Sequence, residues 1–379
     1  MADTAPDHRP AADSFNPGIH GARGLFCLFV LVYHVWNSGL PRWPVPDLLD
    51  QAMNSLRYGV ELFFAISGFV IFVTMRPVLT GHRSPLDFLF NRASRIFPVL
   101  WVTIAVFVPL ALLAGQDGLT DHLTPLWLFG AKLAGNLLAL GPVWPVPVFY
   151  GVAWTIGYEV AFYGLCFAYL AARAYLGRNL GLPVMAIGLL LIAFHPRAVF
   201  FIAGILVAQG LFRTGLLRRL AVWPLAWLVV FLTAWQGLAA AQTPYFTTMF
   251  DWTLTGQWPL ALVAFAALTL AMAGIARGEG WFCRLLRSRP LQWAGTVSYS
   301  LYLWHLIVLG VVKTAMTMSG LTAFAGGGAQ ILLLLIGLPA SLLLAQISYR
   351  LLEQRLTGWL RRHWRSPRSQ PLSQSARRA

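Results

Sequence analysis

Long apolar runs recur along this chain, separated by short polar gaps in which most of the arginines fall. A hydrocarbon core of about 30 Å takes roughly 20 apolar helical residues. Ten segments meet or approach that length, near residues 23–40, 57–75, 96–114, 148–171, 180–196, 198–212, 220–240, 256–276, 294–316 and 329–351. The fifth and sixth are short and share the turn His195, Pro196, Arg197, which also suits one re-entrant hairpin. The pattern predicts an all-α integral membrane protein with about ten transmembrane helices in one bundle. No internal repeat or long linker divides it, so residues 18–353 read as one membrane domain. The polar stretch 1–17 and the residues beyond about 366 are expected to be disordered, within a basic tail of 354–379.

The gaps alternate in charge. One set carries Arg76, Arg83, Arg92 and Arg95, then Arg173 and Arg178, then Arg213, Arg218 and Arg219, then Arg277, Arg284, Arg287 and Arg289, and the tail adds more. The other set carries only Arg42, Arg57, Lys132, Arg197 and Lys313, beside Asp47, Asp50, Asp117, Asp121 and Asp251. Cationic loops stay on the cytoplasmic side, so both termini are expected there and the number of spans is even.

Composition agrees with this picture. Charged residues are 11% of the chain and hydrophobic residues 58%, outside the range of soluble domains. The net charge of +15 would point to nucleic acid in a soluble protein. Here the cations lie between apolar runs, so membrane lipid is the expected partner and nucleic acid is not. Cys27, Cys166 and Cys283 lack disulfide or metal-ligand spacing and read as small core residues. The N-terminal stretch has no apolar core of a cleavable signal, so the first span is expected to act as an uncleaved one.

The candidate chemistry lies in the ionisable residues inside the apolar runs, which are functional candidates by default. Arg23 and His34 share the first span, GARGLFCLFVLVYHVWNSGL. Eleven helical steps turn about 1100°, returning His34 to within roughly 20° of the face of Arg23 and about 16 Å further along. Two of the four glutamates, Glu61 and Glu159, also fall inside spans, as does His305. Counting from the span ends places His34, Glu61, Glu159 and His305 in one middle-to-outer layer. An imidazole can take a hydroxyl proton, and a carboxylate can orient it, with Glu61 and Glu159 the available partners. Arg92 and Arg95, three apart, join Arg23 near the cytoplasmic rim, where guanidinium groups suit phosphate.

These residues sit in motifs. Arg23 to His34 is similar to the Arg-x10-His motif of the acyltransferase 3 family of bacterial membrane O-acyltransferases. YGVELFFAISGF at 58–69, RASRIFPVLW at 92–101, AWTIGYEVAFY at 153–163 and SYSLYLWH at 298–305 resemble its later blocks in order. The resemblance spans about Gly21 to Glu353. Thr155 stands where the family usually has serine, and Glu353-Gln354-Arg355 replaces a common Glu-Arg-Pro. Both departures are expected to lie away from Arg23 and His34. No hydrolase-like domain follows the last span, so the membrane domain is expected to reach the acceptor itself or hand the acyl group to another protein.

The resemblance implies an O-acyltransferase of the bacterial inner membrane that uses acetyl-CoA or another acyl-CoA and needs no metal. Arg23, Arg92 and Arg95 would hold the donor's phosphates. His34 would act as general base or carry the acyl group, with Glu61 or Glu159 as partner. Trp154, Tyr299 and His305 would bind a carbohydrate or glycolipid acceptor, and the outer aromatics Trp144 and Tyr150 would also suit sugar stacking or interface anchoring. Mid-membrane carboxylates and histidines also suit a transporter or flippase of polysaccharide export, against which the absence of inverted repeats counts. Nothing in the pattern sets an oligomeric state.

Overall fold

The apolar runs form helices, and their ends are set by local signals. A computed structural model describes residues 15–113, 126–144, 146–212, 214–239 and 248–364. Of the stretches expected to be disordered, 1–17 and beyond about 366, residues 1–14 and those beyond 364 lie outside the described residues, whereas Asn16 caps α1 and Pro17 begins it; the described residues contain no strand. The helices are α1 (Pro17–Trp36), α2 (Asp47–Ser55), α3 (Gly59–Leu79), α4 (Pro85–Leu113), α5 (Leu126–Leu137) and α6 (Trp154–Tyr175). They continue with α7 (Gly181–Phe194), α8 (Val199–Ala208), α9 (Gly215–Leu220), α10 (Pro224–Ala239), α11 (Met249–Leu254) and α12 (Trp258–Arg277). The last are α13 (Gly280–Leu286), α14 (Arg289–Met318), α15 (Leu321–Ala325), α16 (Ala329–Ser348) and α17 (Thr357–His363). Among the described residues, seven helical stretches are long and apolar enough to cross a membrane, and three shorter apolar helices, Gly181–Phe194, Pro196–Ala208 and Pro224–Leu238, stand at the fifth, sixth and seventh expected spans.

Helix boundaries differ from the apolar pattern where polar residues are helical. Asn16 caps α1 by accepting from the Ile19 amide at 3.0 Å, and Pro17 begins the helix, so α1 starts six residues before Arg23. Arg23 therefore lies about 9 Å inside the helix rather than at its edge. α4 starts at Pro85, and so Arg92 and Arg95 also stand on helix interior. Beyond α16 the chain continues through a π-helical stretch, Tyr349–Leu356, into α17. The expected tail boundary at 353 thus falls inside helix, and Trp364 stacks on Phe90 at 4.1 Å.

Hydrogen bonds sort the helix ends into two layers. Gln292 Nε2 donates to the Pro17 carbonyl (2.7 Å), Asn16 Nδ2 to Ala276 (2.6 Å), Arg76 to Ala208 (3.2 Å), and Thr357 to Ser94 (2.7 Å). One end of the bundle therefore holds the starts of α1, α4 and α14 and the ends of α3, α8, α12 and α16. It is the end bearing the arginine-rich gaps. At the other end, Gln330 Nε2 donates to the Trp36 carbonyl at 2.8 Å, and Lys313 donates to the Ser38 carbonyl.

The α1–α14 pair is the most extensive contact in the bundle. The two helices run parallel, and glycine brings their backbones together: a Cβ on Gly24 would stand 2.6 Å from both Gly295 N and Leu291 O. Small residues are the usual means of close helix approach in a membrane. Ten residues beyond that contact on each helix lie His34 and His305, so the parallel register sets them at one level. Replacing Gly24 by leucine should cost about 1–3 kcal/mol of stability through overpacking. It should lower the thermal midpoint in detergent, whereas Gly164→Ala, where a Cβ meets nothing within 4 Å, should leave the midpoint unchanged or slightly raised.

Candidate active site

Arg23 from α1 and Arg92 and Arg95 from α4 converge on one narrow cavity of about 70 Å³, here called the throat. Its wall also carries Ser67 of α3, Glu159 and Tyr163 of α6, and Tyr299 and Tyr302 of α14. Arg23 and Arg95 also line a wider mouth of about 600 Å³ at the arginine-rich end, with His20, Gln292, Glu353 and Arg361. Arg92 donates to Thr74 Oγ1 and lies 5.7 Å from the Tyr163 ring. Among the described residues, Arg23 and Arg95 make no side-chain hydrogen bond or ion pair, so their donors face the cavities. Intramembrane guanidinium groups held this way suit a polyanion with several oxygens.

Tyr302 lines the throat, whose walls include neither His34 nor His305. Its hydroxyl donates to Val152 O (3.2 Å) and accepts from Thr155 Oγ1 (3.1 Å). The Tyr302 ring stands 5.9 Å from His305, whose ring centroid is 5.1 Å from that of His34. The two histidines are brought together as the parallel register of α1 and α14 requires.

Neither glutamate joins them. Glu61, fully buried, accepts from Arg197 Nη1 (2.9 Å) and Trp235 Nε1 (3.1 Å). This ion pair ties α3 to the turn before α8 and to α10. The expected role of Glu61 as partner of His34 is therefore not supported by its position. Glu159 accepts from Ser67 Oγ and faces the throat with the arginines. The single layer expected for four ionisable groups is divided into three separate surroundings.

The aromatic candidates also separate. Trp154 packs against Phe64 and Tyr158 and lies under the Arg197 guanidinium at 5.3 Å. Tyr299 lines the throat, and its hydroxyl donates to Ile96 O at 2.7 Å, which places it beside the arginines rather than on the outer side. Tyr150 is buried with its hydroxyl on Leu303 O at 2.5 Å, so sugar stacking does not fit it. Trp144 is exposed.

Sequence reasoning missed Glu353. It begins the Glu353-Gln354-Arg355 stretch expected to lie away from Arg23, yet it shares the mouth with Arg23, and its carboxylate accepts from Ser300 Oγ at 2.6 Å. Thr155, the other departure, lines the throat. The signal for Glu353 was in plain view, since it is one of four glutamates and directly follows an apolar span. Ser67, Tyr163 and Tyr302 carried no such signal.

An acyltransferase domain profile, that of the acyltransferase 3 family, matches residues 16–350. The chain belongs to this family. This membrane acyltransferase is 31% identical over 310 residues to the exopolysaccharide production protein ExoZ of Rhizobium meliloti (strain 1021), covering 76% of the chain and 87% of that protein. It is 25% identical over 386 residues to YrhL of Bacillus subtilis (strain 168), which carries the provisional name peptidoglycan O-acetyltransferase, covering 92% of the chain and 56% of YrhL. Nodulation protein 10 of Rhizobium leguminosarum bv. viciae is 32% identical over 155 residues, 35% of the chain and 38% of that protein. No solved structure matches the chain.

If Glu61 is a partner to Arg197 and not to His34, its removal acts on the fold. Glu61→Ala should cost roughly 3–5 kcal/mol by leaving the guanidinium unpaired. The thermal midpoint of the purified acyltransferase should fall accordingly, and the double change Glu61→Leu with Arg197→Leu should recover most of the loss. An unchanged midpoint in the single variant would contradict the assignment.

Proposed function

We propose that this acyltransferase moves an acetyl group from acetyl-CoA, taken up at the arginine-rich end, to a hydroxyl of a surface polysaccharide or lipid-linked sugar. The observation that carries the reading is the pair Arg23 and Arg95, two guanidinium groups that have no side-chain partner among the described residues and line both the mouth and the throat. Coenzyme A presents phosphates at one end and a thioester at the other, joined by a slender arm. Phosphates at Arg23, Arg92, Arg95 and Arg361 leave the arm to follow α1 through the throat, past Glu159, towards His34. The rise of about 16 Å from Arg23 to His34 matches an extended arm better than a compact substrate.

The positive-inside rule makes the arginine-rich end cytoplasmic, where acyl-CoA is found, and puts both termini there. The acceptor then approaches from the opposite end, on the side of Trp154 and the Arg197 ion pair. Relatives named for exopolysaccharide production and for peptidoglycan O-acetylation support a glycan hydroxyl as acceptor. His34 takes the hydroxyl proton as the oxygen attacks the thioester carbon, and the thiolate leaves towards the arginines.

The test is release of CoA thiol from acetyl-CoA by detergent-purified protein with a glycan acceptor present. Arg95→Ala should raise KM for acetyl-CoA about tenfold, as expected for loss of a charge-assisted contact worth about 1.4 kcal/mol. It should leave KM for acetyl-pantetheine, which lacks phosphates, unchanged. His34→Ala should lower kcat by at least about 100-fold. Wild-type turnover in His34→Ala would remove the proposal.

A further inference from the structure

His305 is 1% exposed, and its Nδ1 lies 2.7 Å from Tyr302 O and 3.2 Å from Leu301 O. A carbonyl oxygen only accepts, so Nδ1 carries the ring proton and Nε2 carries the lone pair. That Nε2 is buried and has no hydrogen-bond partner. An acceptor left this way is destabilising, and packing alone would avoid it with an apolar side chain. Because Nδ1 points back at its own helix, Nε2 on the far side of the ring points away from α14. The neighbour there is α1, with the His34 ring centred 5.1 Å away. The two rings are tilted by 44° and share no hydrogen bond here, and a turn of the His34 side chain about its own bonds brings an N–H to Nε2.

We infer that His305 is the positioning residue of His34, filling the place in which a carboxylate was expected. The inference rests on the reading of His34 as the base. With one N–H of His34 donated to His305 Nε2, the other His34 nitrogen holds its lone pair towards the reacting centre. The acceptor oxygen then bonds to the thioester carbon, the carbon–sulfur bond breaks, and the hydroxyl proton passes to the free nitrogen of His34. His305, as a neutral acceptor, stabilises the imidazolium so formed. That proton next passes to the departing thiolate, giving an ester and CoA thiol, with both histidines restored. The register that sets the pair is fixed by the Gly24 to Gly295 approach, about 15 Å along the helices.

Two substitutions separate this role from a structural one. His305→Asn keeps an N–H near the position of Nδ1, able to reach Tyr302 O, and removes Nε2. His305→Gln reaches towards the Nε2 position and gives up the Nδ1 geometry. A positioning role predicts that Asn lowers kcat by about 100-fold with KM for acetyl-CoA and thermal midpoint unchanged, while Gln regains part of the rate. A purely structural role predicts the reverse, with Asn tolerated and Gln damaging, and that outcome would overturn the inference. His34→Ala is measured alongside: if it retains activity, the reading of His34 falls, whereas an inactive His34→Ala with an active His305→Asn removes only the role of His305. Independently of turnover, 15N-histidine NMR of the wild-type protein should show His305 protonated at Nδ1 and bare at Nε2. The opposite tautomer would contradict the inference.

Discussion

Guanidinium groups within hydrocarbon must be surrounded by polar atoms or reach water, and the site is organised around that demand. Arg23, Arg92 and Arg95 stand on helix interior, beyond the first turn of α1 and α4. Tyrosine hydroxyls, Ser67, Glu159 and Glu353 line the same cavities and supply the polar wall. Only Arg92 is tied to a side chain, through Thr74. Among the described residues the other two have no side-chain partner, and in the proposed function the donor's phosphates supply one.

The second constraint is backbone proximity. Glycine at 24 and 295 lets α1 and α14 touch, and parallel helices that touch at one level stay level ten residues on. His34 and His305 meet for that reason. Arg23 and the two imidazoles thus stand on one helix pair, and α4 brings Arg92 and Arg95 to the level of Arg23. Tyr302, held by Thr155 and Val152, lines the throat and has its ring 5.9 Å from that of His305.

The sequence disclosed the features that depend on distance along a helix. The apolar runs located the helices, the charge alternation sorted their ends, and the eleven-residue step joined Arg23 to His34. It did not disclose which way a helix faces when every face is apolar, because hydropathy then has no direction. Glu61 and Ser67 illustrate this: six residues apart on α3, one turns to Arg197 and Trp235 and the other to Glu159. Depth alone had placed Glu61 with His34. Glu353 stands out as a glutamate after the last apolar run, but its place beside Arg23 depends on the helix continuing through a π-helical stretch, which the apolar pattern does not show.

The central claim is that one ligand lies along α1 from the arginines to His34. A cryo-electron microscopy structure with a non-transferable thioether analogue of acetyl-CoA tests it most directly. The account predicts phosphates on Arg23, Arg92 and Arg95, the arm in the throat, Tyr302 turned aside and the sulfur beside His34. An analogue bound at the opposite end, or one whose sulfur stops at Glu159 with Tyr302 in place, would contradict it.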